Sequence, residues 1–220
     1  MINKNLEFEF VHKDLYGVAI EVVKKFVGDG LSRPILSYAL HTKEGDILAT
    51  NSHKAIHIRE IHGFNEDYLV NPKNYMFAKG TYPDLYNVIG SDSHKKSITL
   101  NKEQIKLWLQ LFKSINNTLK MMKSNIINKA VKMSFLENSV TIEVMVDSEN
   151  SFKTILPTTE LVKPDFDKIT FSVEMMRDAL EAHFKLNSEL INIYFHGQMR
   201  PIIMNDESIV KTIILPVRTY

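Results

Sequence analysis

Three histidines in the first third of the chain have the residue type and spacing that a metal site would require. His53, His57 and His62 follow one another along a single stretch of sequence. Imidazole is a common ligand of zinc and other transition metals. The competing interpretation is that they are ordinary strand and loop histidines. We adopt the second interpretation and expect neither a metal nor any other cofactor.

Other patterns that would support catalysis are weak or absent. Asp165 and Asp167 flank Phe166 and could act as paired carboxylates, but a solvated turn before a strand explains them better. The sequence contains neither GxGxxG nor GxxxxGKS/T, the glycine-rich patterns that cradle phosphates. It contains no cysteine, which excludes disulfides, thiolate metal sites and cysteine nucleophiles. We therefore expect no catalytic residue and do not interpret the chain as an enzyme.

The composition is that of a folded chain without a strong overall charge. The 220 residues suffice for one large or two modest domains, and a hydrophobic content of 44% supports a sizeable core. Because the net charge is only +1, any contact with nucleic acid depends on local clustering of charge. No apolar run reaches the roughly 18 residues of a membrane span, and the first residues lack a signal-peptide core. We expect a cytoplasmic protein.

One order of elements occurs three times: a short strand, an amphipathic helix and two or three further strands. Asn101 and Ser172 are predicted N-caps, and Gln104 completes a capping box with Asn101. The predicted helices cover 13–27, 101–122 and 172–185, the first ending at a Gly-Asp-Gly stretch. The predicted strands are 6–10, 35–42, 46–50, 55–59, 96–100, 130–136, 139–147, 151–157, 168–171, 190–196, 200–204 and 209–217.

These repeated β-α-β-β-β units predict the fold class and the domain organisation. The class is α+β, with antiparallel sheets covered on one face by helices. This repeated order of strands and helix is interrupted between residues 60 and 95, where Gly63, Pro72, Gly80 and Pro83 favour turns. The predicted boundary divides the chain into 1–79, with one repeat and a linker, and 80–220, with two repeats. Whether residues 60–79 form a replacement strand or a loose linker is left open.

The second predicted helix carries a basic stripe. At about 100° per residue, Lys102, Lys106, Lys113 and Lys120 fall within about 40° of one another. Such a stripe is either an ordinary solvated helix face or a surface that neutralises phosphates without reading bases. The opposite arc is predicted to be core: Leu107, Trp108, Leu111, Phe112, Ile115 and Leu119.

The other two helices carry different charge patterns. Lys13 and Lys24 share a face of the first helix. On the third helix, an acidic group is predicted to share the exposed face with a single lysine: Glu174, Asp178, Glu181 and Lys185. A surface built from all three helices would therefore be unevenly charged.

Three short motifs follow one another along the chain: ATNSHKA at 49–55, GTYPDL at 80–85, and RP at 200–201 with LPVRTY at 215–220. In this order they resemble motifs of the DNA polymerase III beta subunit, the bacterial sliding clamp. Residues 49–55 read ATNSHKA and resemble A-T-D-G/S-H-R-L of the family's middle domain. Residues 80–85 read GTYPDL and resemble G-R/K-F/Y-P-D-Y at the entry to its last domain. The end of the chain, with RP at 200–201 and LPVRTY at 215–220, resembles the family's C-terminus. Four positions depart from the pattern: Asn51 replaces Asp, Lys54 replaces Arg, Ala55 replaces Leu, and Gly90 stands where Pro is usual.

The resemblance implies a shortened DNA-clamp fold. Residues 80–220 resemble a complete last domain, 1–59 resemble only the first repeat of the middle domain, and the family's first domain has no counterpart. Ordinary members are dimers whose rings close by pairing the first domain of one chain with the last domain of the other. This chain would therefore need a different contact to close a ring. Rings of the family contain twelve repeats, and four chains with three repeats each would supply them.

The resemblance also implies a peptide-binding cleft and a DNA-facing surface. The cleft would accept short linear motifs of DNA polymerase or other replication and repair proteins. Its candidates, carried over residue by residue, are Thr50, Ser52, His53, Lys54, Ala55, Val88, Pro201, Ile214, Leu215, Pro216, Val217 and Arg218. The competing interpretation is that these residues serve only as core and strand ends. The helices of clamps line the hole, which implies that Lys13, Lys24, Lys102, Lys106, Lys113 and Lys120 face duplex DNA.

The function implied is that of a processivity or tethering factor without enzymatic activity. It would encircle DNA as a homo-oligomer, bind it independently of sequence, and lie at the nucleoid in the cytoplasm. The alternative is a regulator or decoy that does not encircle DNA and instead binds clamp partners or a full-length clamp.

Overall fold

The computed structural model describes residues 10–89, 96–122, 130–145 and 150–217. The strand predicted at 6–10 lies outside these ranges except for its last residue. The helices are α1 (Tyr16–Val23), α2 (Tyr86–Ile89), α3 (Lys102–Met121) and α4 (Val173–Lys185), with a 3-10 turn at Pro34–Ser37. The strands are β1 (Ala39–His41), β2 (Ile47–Thr50), β3 (Lys54–Ile58), β4 (Tyr68–Val70), β5 (Phe77–Ala78), β6 (Lys96–Asn101), β7 (Ala130–Phe135), β8 (Val140–Met145), β9 (Ser151–Leu156), β10 (Glu160–Leu161), β11 (Lys168–Ser172), β12 (Leu190–Phe195), β13 (Ile202–Asn205) and β14 (Val210–Ile214).

The strands form two antiparallel sheets, and the helices pack against them, which confirms the predicted α+β class. The larger sheet has the order β10-β6-β12-β13-β14-β3-β2-β1-β4-β5, and the smaller has the order β11-β7-β8-β9. The pairing of β14 with β3, which places Ile213 opposite Ala55, joins the two predicted domains in one sheet. The division at residues 79 and 80 remains a prediction.

The longest helix, α3, begins where the sequence predicts. Asn101 accepts a hydrogen bond from the Gln104 backbone N–H at 3.0 Å, and the Gln104 side chain accepts one from the Asn101 N–H at 3.1 Å. This reciprocal capping box satisfies two backbone donors at the helix start. Ser172 occupies the N-cap position of α4 but makes no side-chain cap bond.

We expect Asn101→Ala to lower the free energy of unfolding by about 1 kcal/mol, because the Gln104 backbone N–H loses its side-chain acceptor. Ser172→Ala is the matched control, since its hydroxyl caps nothing, and a change of only a few tenths is expected. Urea unfolding of the two variants beside the parent protein measures both. Equal losses in the two variants would contradict the assignment of the cap.

The core face of α3 is rotated from its predicted position. Trp108, Phe112, Ile115 and Leu119 are buried as expected, but Leu107 is 48% exposed. Ile105, Leu109 and Asn116 are buried on the other flank, so the inclusion of Leu107 in the core was wrong. As a result, the lysine stripe lies beside the core face rather than opposite it, and Lys113 of the stripe lies 3.7 Å from Glu181 of α4.

The first repeat is less regular than predicted. Helix α1 ends at Val23, and residues 24–26 continue as a turn in which the Phe26 N–H bonds to the Val23 carbonyl at 2.8 Å. The strand predicted to start at residue 35 begins only at Ala39, because Pro34 starts a 3-10 turn with its fixed φ and has no N–H to donate to a sheet. No helix in the described ranges is both long and apolar enough to cross a lipid bilayer.

Residues 60–79 include replacement strands. β4 pairs with β1, and β5 extends the sheet beyond β4. Between them, Asn71 and Met76 close a turn through a 2.9 Å backbone hydrogen bond. The sequence left open whether residues 60–79 form a strand or a loose linker. In the structure this segment includes strands that lengthen the large sheet.

Candidate functional sites

A shallow apolar groove lies where the β2–β3 turn, the loop before α2 and the end of β14 meet. Its volume is about 260 Å³. Six predicted cleft residues line it: Thr50, Ser52, His53, Lys54, Ala55 and Leu215. Five further residues complete the lining, and the sequence analysis did not predict them: Arg33, Leu36, Pro83, Leu85 and Ile213.

The β2–β3 turn is held rigid by its own polar side chains. Thr50 Oγ1 donates to the Lys54 carbonyl at 2.9 Å and accepts from the Ser52 N–H at 3.1 Å. Asn51 Oδ1 accepts from the N–H groups of His53 and Lys54, each at 3.0 Å. The amide oxygen of Asn51 accepts both bonds. Asn in place of the family's Asp therefore keeps the hydrogen-bond acceptor that the turn needs. Ser52 adopts a φ of 74° at the tip.

A buried tyrosine supports this turn from beneath. The Tyr82 hydroxyl donates to the Tyr38 carbonyl at 3.1 Å and accepts from the Thr50 N–H at 3.3 Å. Burial raises the pKa of Tyr82 to about 12, so the phenol stays neutral and keeps both bonds. The residue belongs to the 80–85 motif, and its two hydrogen bonds therefore hold this motif against the β2–β3 turn.

Lys54 does not present its charge to the groove. Lys54 is among the residues that line the groove, but its side chain is 7% exposed and forms an ion pair with Asp178 of α4. The Lys54 ammonium lies 5.4 Å from the centroid of the Phe26 ring. Successive residues of a strand point to opposite faces, so Ala55 faces the groove while Lys54 points into the molecule. The cationic side chain at the rim is instead Arg33, which is exposed.

The same alternation separates the residues of β14. Ile213 and Leu215 line the groove, whereas Ile214 is fully buried in the main core and does not reach it. Pro216 forms an isolated bridge with Phe171, and the Val217 N–H bonds to the Thr170 carbonyl at 2.8 Å. These bonds tie the end of the large sheet to the edge of the small one.

One further cleft candidate lies away from the groove, and two lie outside what the structure describes. Pro201 precedes β13 and is not among the lining residues. Val88 lies in α2 with its side chain outside the description, and Arg218 lies outside the described residues. Ile213 could have been found from strand parity with Leu215, and Pro83 and Leu85 from the 80–85 motif; Arg33 and Leu36 carried no sequence signal.

Four of the six predicted DNA-facing lysines lie within 4.0 Å of a carboxylate. Lys13 lies 4.0 Å from Glu60, Lys24 lies 2.6 Å from Glu21, and Lys102 pairs with Glu189. Lys113 lies 3.7 Å from Glu181. Lys106 and Lys120 are exposed, and the described residues provide neither with an ion-pair partner. The free positive charge of the helix face is therefore smaller than the stripe predicts.

The prediction that the carboxylates of α4 are exposed was wrong for two of them. Asp178 is 2% exposed, and its Oδ1 accepts from Arg177 Nη2 at 2.6 Å. Glu181 is 6% exposed and is surrounded by lysines. Burial pulls the pKa of Glu181 upward, but hydrogen bonds and charge from those lysines outweigh it and hold the pKa below its usual range. Both carboxylates therefore act as buried counter-ions for neighbouring basic side chains. They do not form an exposed acidic surface on α4.

Two of the three candidate metal-binding histidines make hydrogen bonds with Asp46. His57 Nε2 lies 2.7 Å from Asp46 Oδ2, and His62 Nε2 lies 3.2 Å from the Asp46 carbonyl. His53 is exposed at the groove. In the described ranges, no three metal-ligating side chains come together to hold an ion.

No protein-family model matches the sequence. No curated protein matches it either.

Solved structures are similar over the whole chain. The DNA polymerase sliding clamp of Bacillus subtilis is 19% identical with a TM-score of 0.75, and the match covers 100% of this chain and 67% of that chain. DNA polymerase III beta chain of Streptococcus pneumoniae TIGR4 is 19% identical with a TM-score of 0.71, covering 99% and 68%. The Helicobacter pylori beta clamp bound to a DNA ligase peptide is 15% identical with a TM-score of 0.70, covering 97% and 68%. The chain therefore has the bacterial sliding-clamp fold that its three motifs indicate, over about two thirds of the length of the clamps it matches.

Proposed function

We propose that the chain is a sliding-clamp-type tethering factor without catalytic activity. It assembles into a closed homo-oligomer around duplex DNA at the nucleoid and recruits DNA polymerase or other replication and repair proteins through the groove at Thr50 and Leu215. The observation that carries the proposal is the match of the full chain to about two thirds of several bacterial clamps at TM-scores of 0.70–0.75. A fold that covers its sheets with helices on one face suits a ring whose helices face DNA.

The number of chains in the ring depends on how residues 60–79 are counted. Three helix-bearing repeats per chain favour four chains, because a ring of this family holds twelve repeats. The span of about two thirds of a clamp favours three chains, because clamps of that family are dimers. The second count applies if β4 and β5 fill the place of the missing repeat. Both arrangements are closed rings with identical head-to-tail contacts.

The groove supports peptide recruitment. Its floor consists of Leu36, Ala55, Leu85 and Ile213, which are suited to anchoring apolar side chains of an extended peptide. Arg33 at the rim suits an acidic residue of the same peptide. The structure of the Helicobacter pylori clamp with a DNA ligase peptide supplies a probe of the right class.

We expect Leu215→Asp to weaken binding of a fluorescent clamp-binding peptide by at least tenfold. Leu215 is 37% exposed and lines the groove, so a carboxylate there replaces apolar contact with a charge that the peptide must desolvate. Ile155→Asp is the matched control, because Ile155 is 66% exposed on β9 and is not part of the groove. Fluorescence anisotropy measures both, and equal affinities for the two variants would place the peptide elsewhere.

Encirclement is tested by retention on DNA of different topology. The protein, with a clamp loader, is expected to stay on nicked circular DNA through gel filtration and to run off after the circle is cut by a restriction enzyme. Retention that is the same on circular and linear DNA would indicate surface binding and would contradict the ring.

A further inference from the structure

The turn that leads into β5, at one end of the large sheet, presents three consecutive apolar side chains to solvent. Tyr75, Met76 and Phe77 are 58%, 57% and 55% exposed. Two hydrogen bonds fix the turn that carries them. The Tyr75 N–H bonds to the Asn71 carbonyl at 2.8 Å, and the Met76 N–H bonds to Asn74 Oδ1 at 3.1 Å. We call Tyr75, Met76 and Phe77 the β5 patch.

The backbone of this turn is strained. Tyr75 adopts a φ of 61°, in the left-handed region that glycine and asparagine occupy at lower cost. Its hydroxyl accepts a hydrogen bond from Lys24 Nζ at 3.2 Å, and the Phe77 ring lies 5.9 Å from that of Tyr68. Strain of this kind persists where the surroundings enforce it, and it is concentrated at functional sites. The exposed turn is therefore held in place by contacts on both sides.

A second apolar surface lies beside β9, between this strand and the second half of α3. A pocket of about 280 Å³ is lined by Leu111, Ser114, Ile115, Thr118, Leu119, Val144 and Phe152. Phe152 is exposed at its edge, and Met121 and Met122 are exposed on the next turn of the helix. We call this pocket, with the three exposed side chains, the β9 patch. An apolar surface of this kind is typical of an interaction site.

The strand beside this pocket is also the long open edge of the described sheets. β10 and β5 are each two residues long, and β11 is covered by its bridge to Pro216 and by the Val217 N–H. β9 is six residues long, and in the part of the chain that the structure describes it pairs only with β8. An open edge of this length presents unpaired N–H and C=O groups to a strand of another molecule.

The two patches complement each other. The β5 patch projects as a turn, whereas the β9 patch combines a recess with an open backbone edge. Neither contains a carboxylate or an ammonium group, so contact between them leaves no charge of either patch buried without a partner. They lie in different sheets and in different predicted domains. A head-to-tail assembly requires two such unlike surfaces on every chain.

We propose that the β5 patch of one chain docks on the β9 patch of a second copy, with Met76 in the pocket and β5 alongside β9. The proposal rests on the proposed function in taking a closed ring as the assembly, and it names the contact that closes it. An unbranched methionine side chain adapts to an irregular apolar pocket. Residues 60–79 thus supply one half of the contact, and the edge of the second predicted domain supplies the other.

The first test compares the mass in solution of matched aspartate variants. Met76→Asp and Phe152→Asp each place a carboxylate in the contact and are expected to raise its dissociation constant about tenfold or more. Light scattering should then show their masses falling toward the 25.4 kDa of one chain at dilutions where the parent stays assembled. Met199→Asp is the control, because Met199 is 53% exposed and belongs to neither patch, and it should keep the parent mass.

Cross-linking tests the same contact without breaking it. The chain has no cysteine, so introduced thiols are unique. Met76 and Lys153, which is exposed on β9, are each changed to cysteine in separate proteins. A short bismaleimide is expected to join the two variants to each other when they are mixed, and to join neither variant to itself. Dimers formed by Lys153→Cys alone would show that β9 pairs with β9, which overturns the head-to-tail contact.

The outcomes separate the contact from the proposed function. A parent that forms a discrete multimer, with both aspartate variants at full mass and no cross-link in the mixture, overturns the contact and leaves the ring intact. A parent that is a monomer at every concentration contradicts the ring. Cross-linking of the mixed cysteine variants at high concentration then decides the contact: mixed dimers support a weak head-to-tail contact, and their absence overturns it.

Discussion

Asp178→Ala is expected to lower the free energy of unfolding by about 3–5 kcal/mol, the largest effect of any single change considered. The substitution leaves the Lys54 ammonium buried beneath the groove without its counter-ion, beside an Arg177 that has also lost a partner. An unpaired buried cation cannot recover its lost hydration, so the folded state becomes less stable. Urea unfolding followed by circular dichroism measures the change.

Two further variants distinguish loss of the buried pair from a general effect on α4. Glu174→Ala removes the other carboxylate near Arg177, at 3.4 Å and with 46% of the side chain exposed, and should cost less than about 1 kcal/mol. The double variant K54M/D178L replaces both charges by apolar groups and should recover most of the loss. A loss below about 1 kcal/mol for Asp178→Ala would show that Lys54 reaches solvent and would contradict its buried position.

Acidification is expected to destabilise the protein strongly between pH 6.5 and about 4. Burial, followed by the nearby charge of His62, lowers the pKa of His41 to about 3, and burial lowers the pKa of His183 to about 4. Above pH 6.5 both histidines are neutral in the folded and unfolded states, so they contribute no penalty. Below it the unfolded chain binds protons that the folded chain refuses, and stability falls by about 1.4 kcal/mol per pH unit for each histidine.

The surroundings of the two histidines explain why they stay neutral. His41 is packed among Tyr16, His62 and Phe64, with ring centroids 5.0–5.8 Å away and the Tyr16 hydroxyl 3.2 Å from its Nε2. His183 is fully buried, with Ser188 Oγ 3.1 Å from Nδ1 and Thr212 Oγ1 3.3 Å from Nε2. Asp206, whose carboxylate accepts a hydrogen bond from Ser188 Oγ at 2.7 Å, raises the pKa of His183, but burial outweighs this effect.

Urea midpoints between pH 8 and pH 4.5 measure this dependence. His41→Phe removes one titrating group while keeping an aromatic ring, so the slope of stability against pH should fall in that variant, even if its stability at pH 8 is lower. His183 and His62, whose pKa burial also lowers, account for the slope that remains. A parent protein with the same midpoint at pH 7 and pH 5 would contradict the buried, neutral histidines.

The sequence predicts the regular parts of this fold because their signals are local. The capping box at Asn101 and Gln104 depends on residues three apart, and it places the start of α3 correctly. Strands such as β7, β8 and β12 lie between turns, and their sequences either alternate between apolar and polar residues or are continuously apolar. Their predicted and observed bounds therefore differ by only a few residues. The clamp resemblance adds the order of these units and is confirmed at the level of the fold.

The parts that sequence reasoning missed depend on contacts between distant elements. Helical periodicity alone placed Leu107 in the core, whereas the buried face of α3, a helix that packs against α4, includes Ile105 and Leu109. Motif matching carried over Ile214 together with its neighbours, but strand parity sends it to the opposite face from Ile213 and Leu215.

The charge pattern shows the same limit. Glu181 looks like an exposed acidic residue because nothing in its own helix indicates that Lys25 and Lys113 will converge on it. Lys54 looks like a rim residue because the partner that buries it, Asp178, is more than a hundred positions away. Local sequence gives the sign of each charge, and only the fold decides which charges remain available to a ligand.

The absolute mass of the purified protein in solution, measured by light scattering over a concentration series, tests the central claim most directly. A ring predicts a discrete multimer of three or four times the 25.4 kDa of one chain that persists on dilution. Three chains would indicate that β4 and β5 take the place of a repeat, and four would indicate that only helix-bearing repeats count. A monomer at every concentration would contradict encirclement of DNA by this chain.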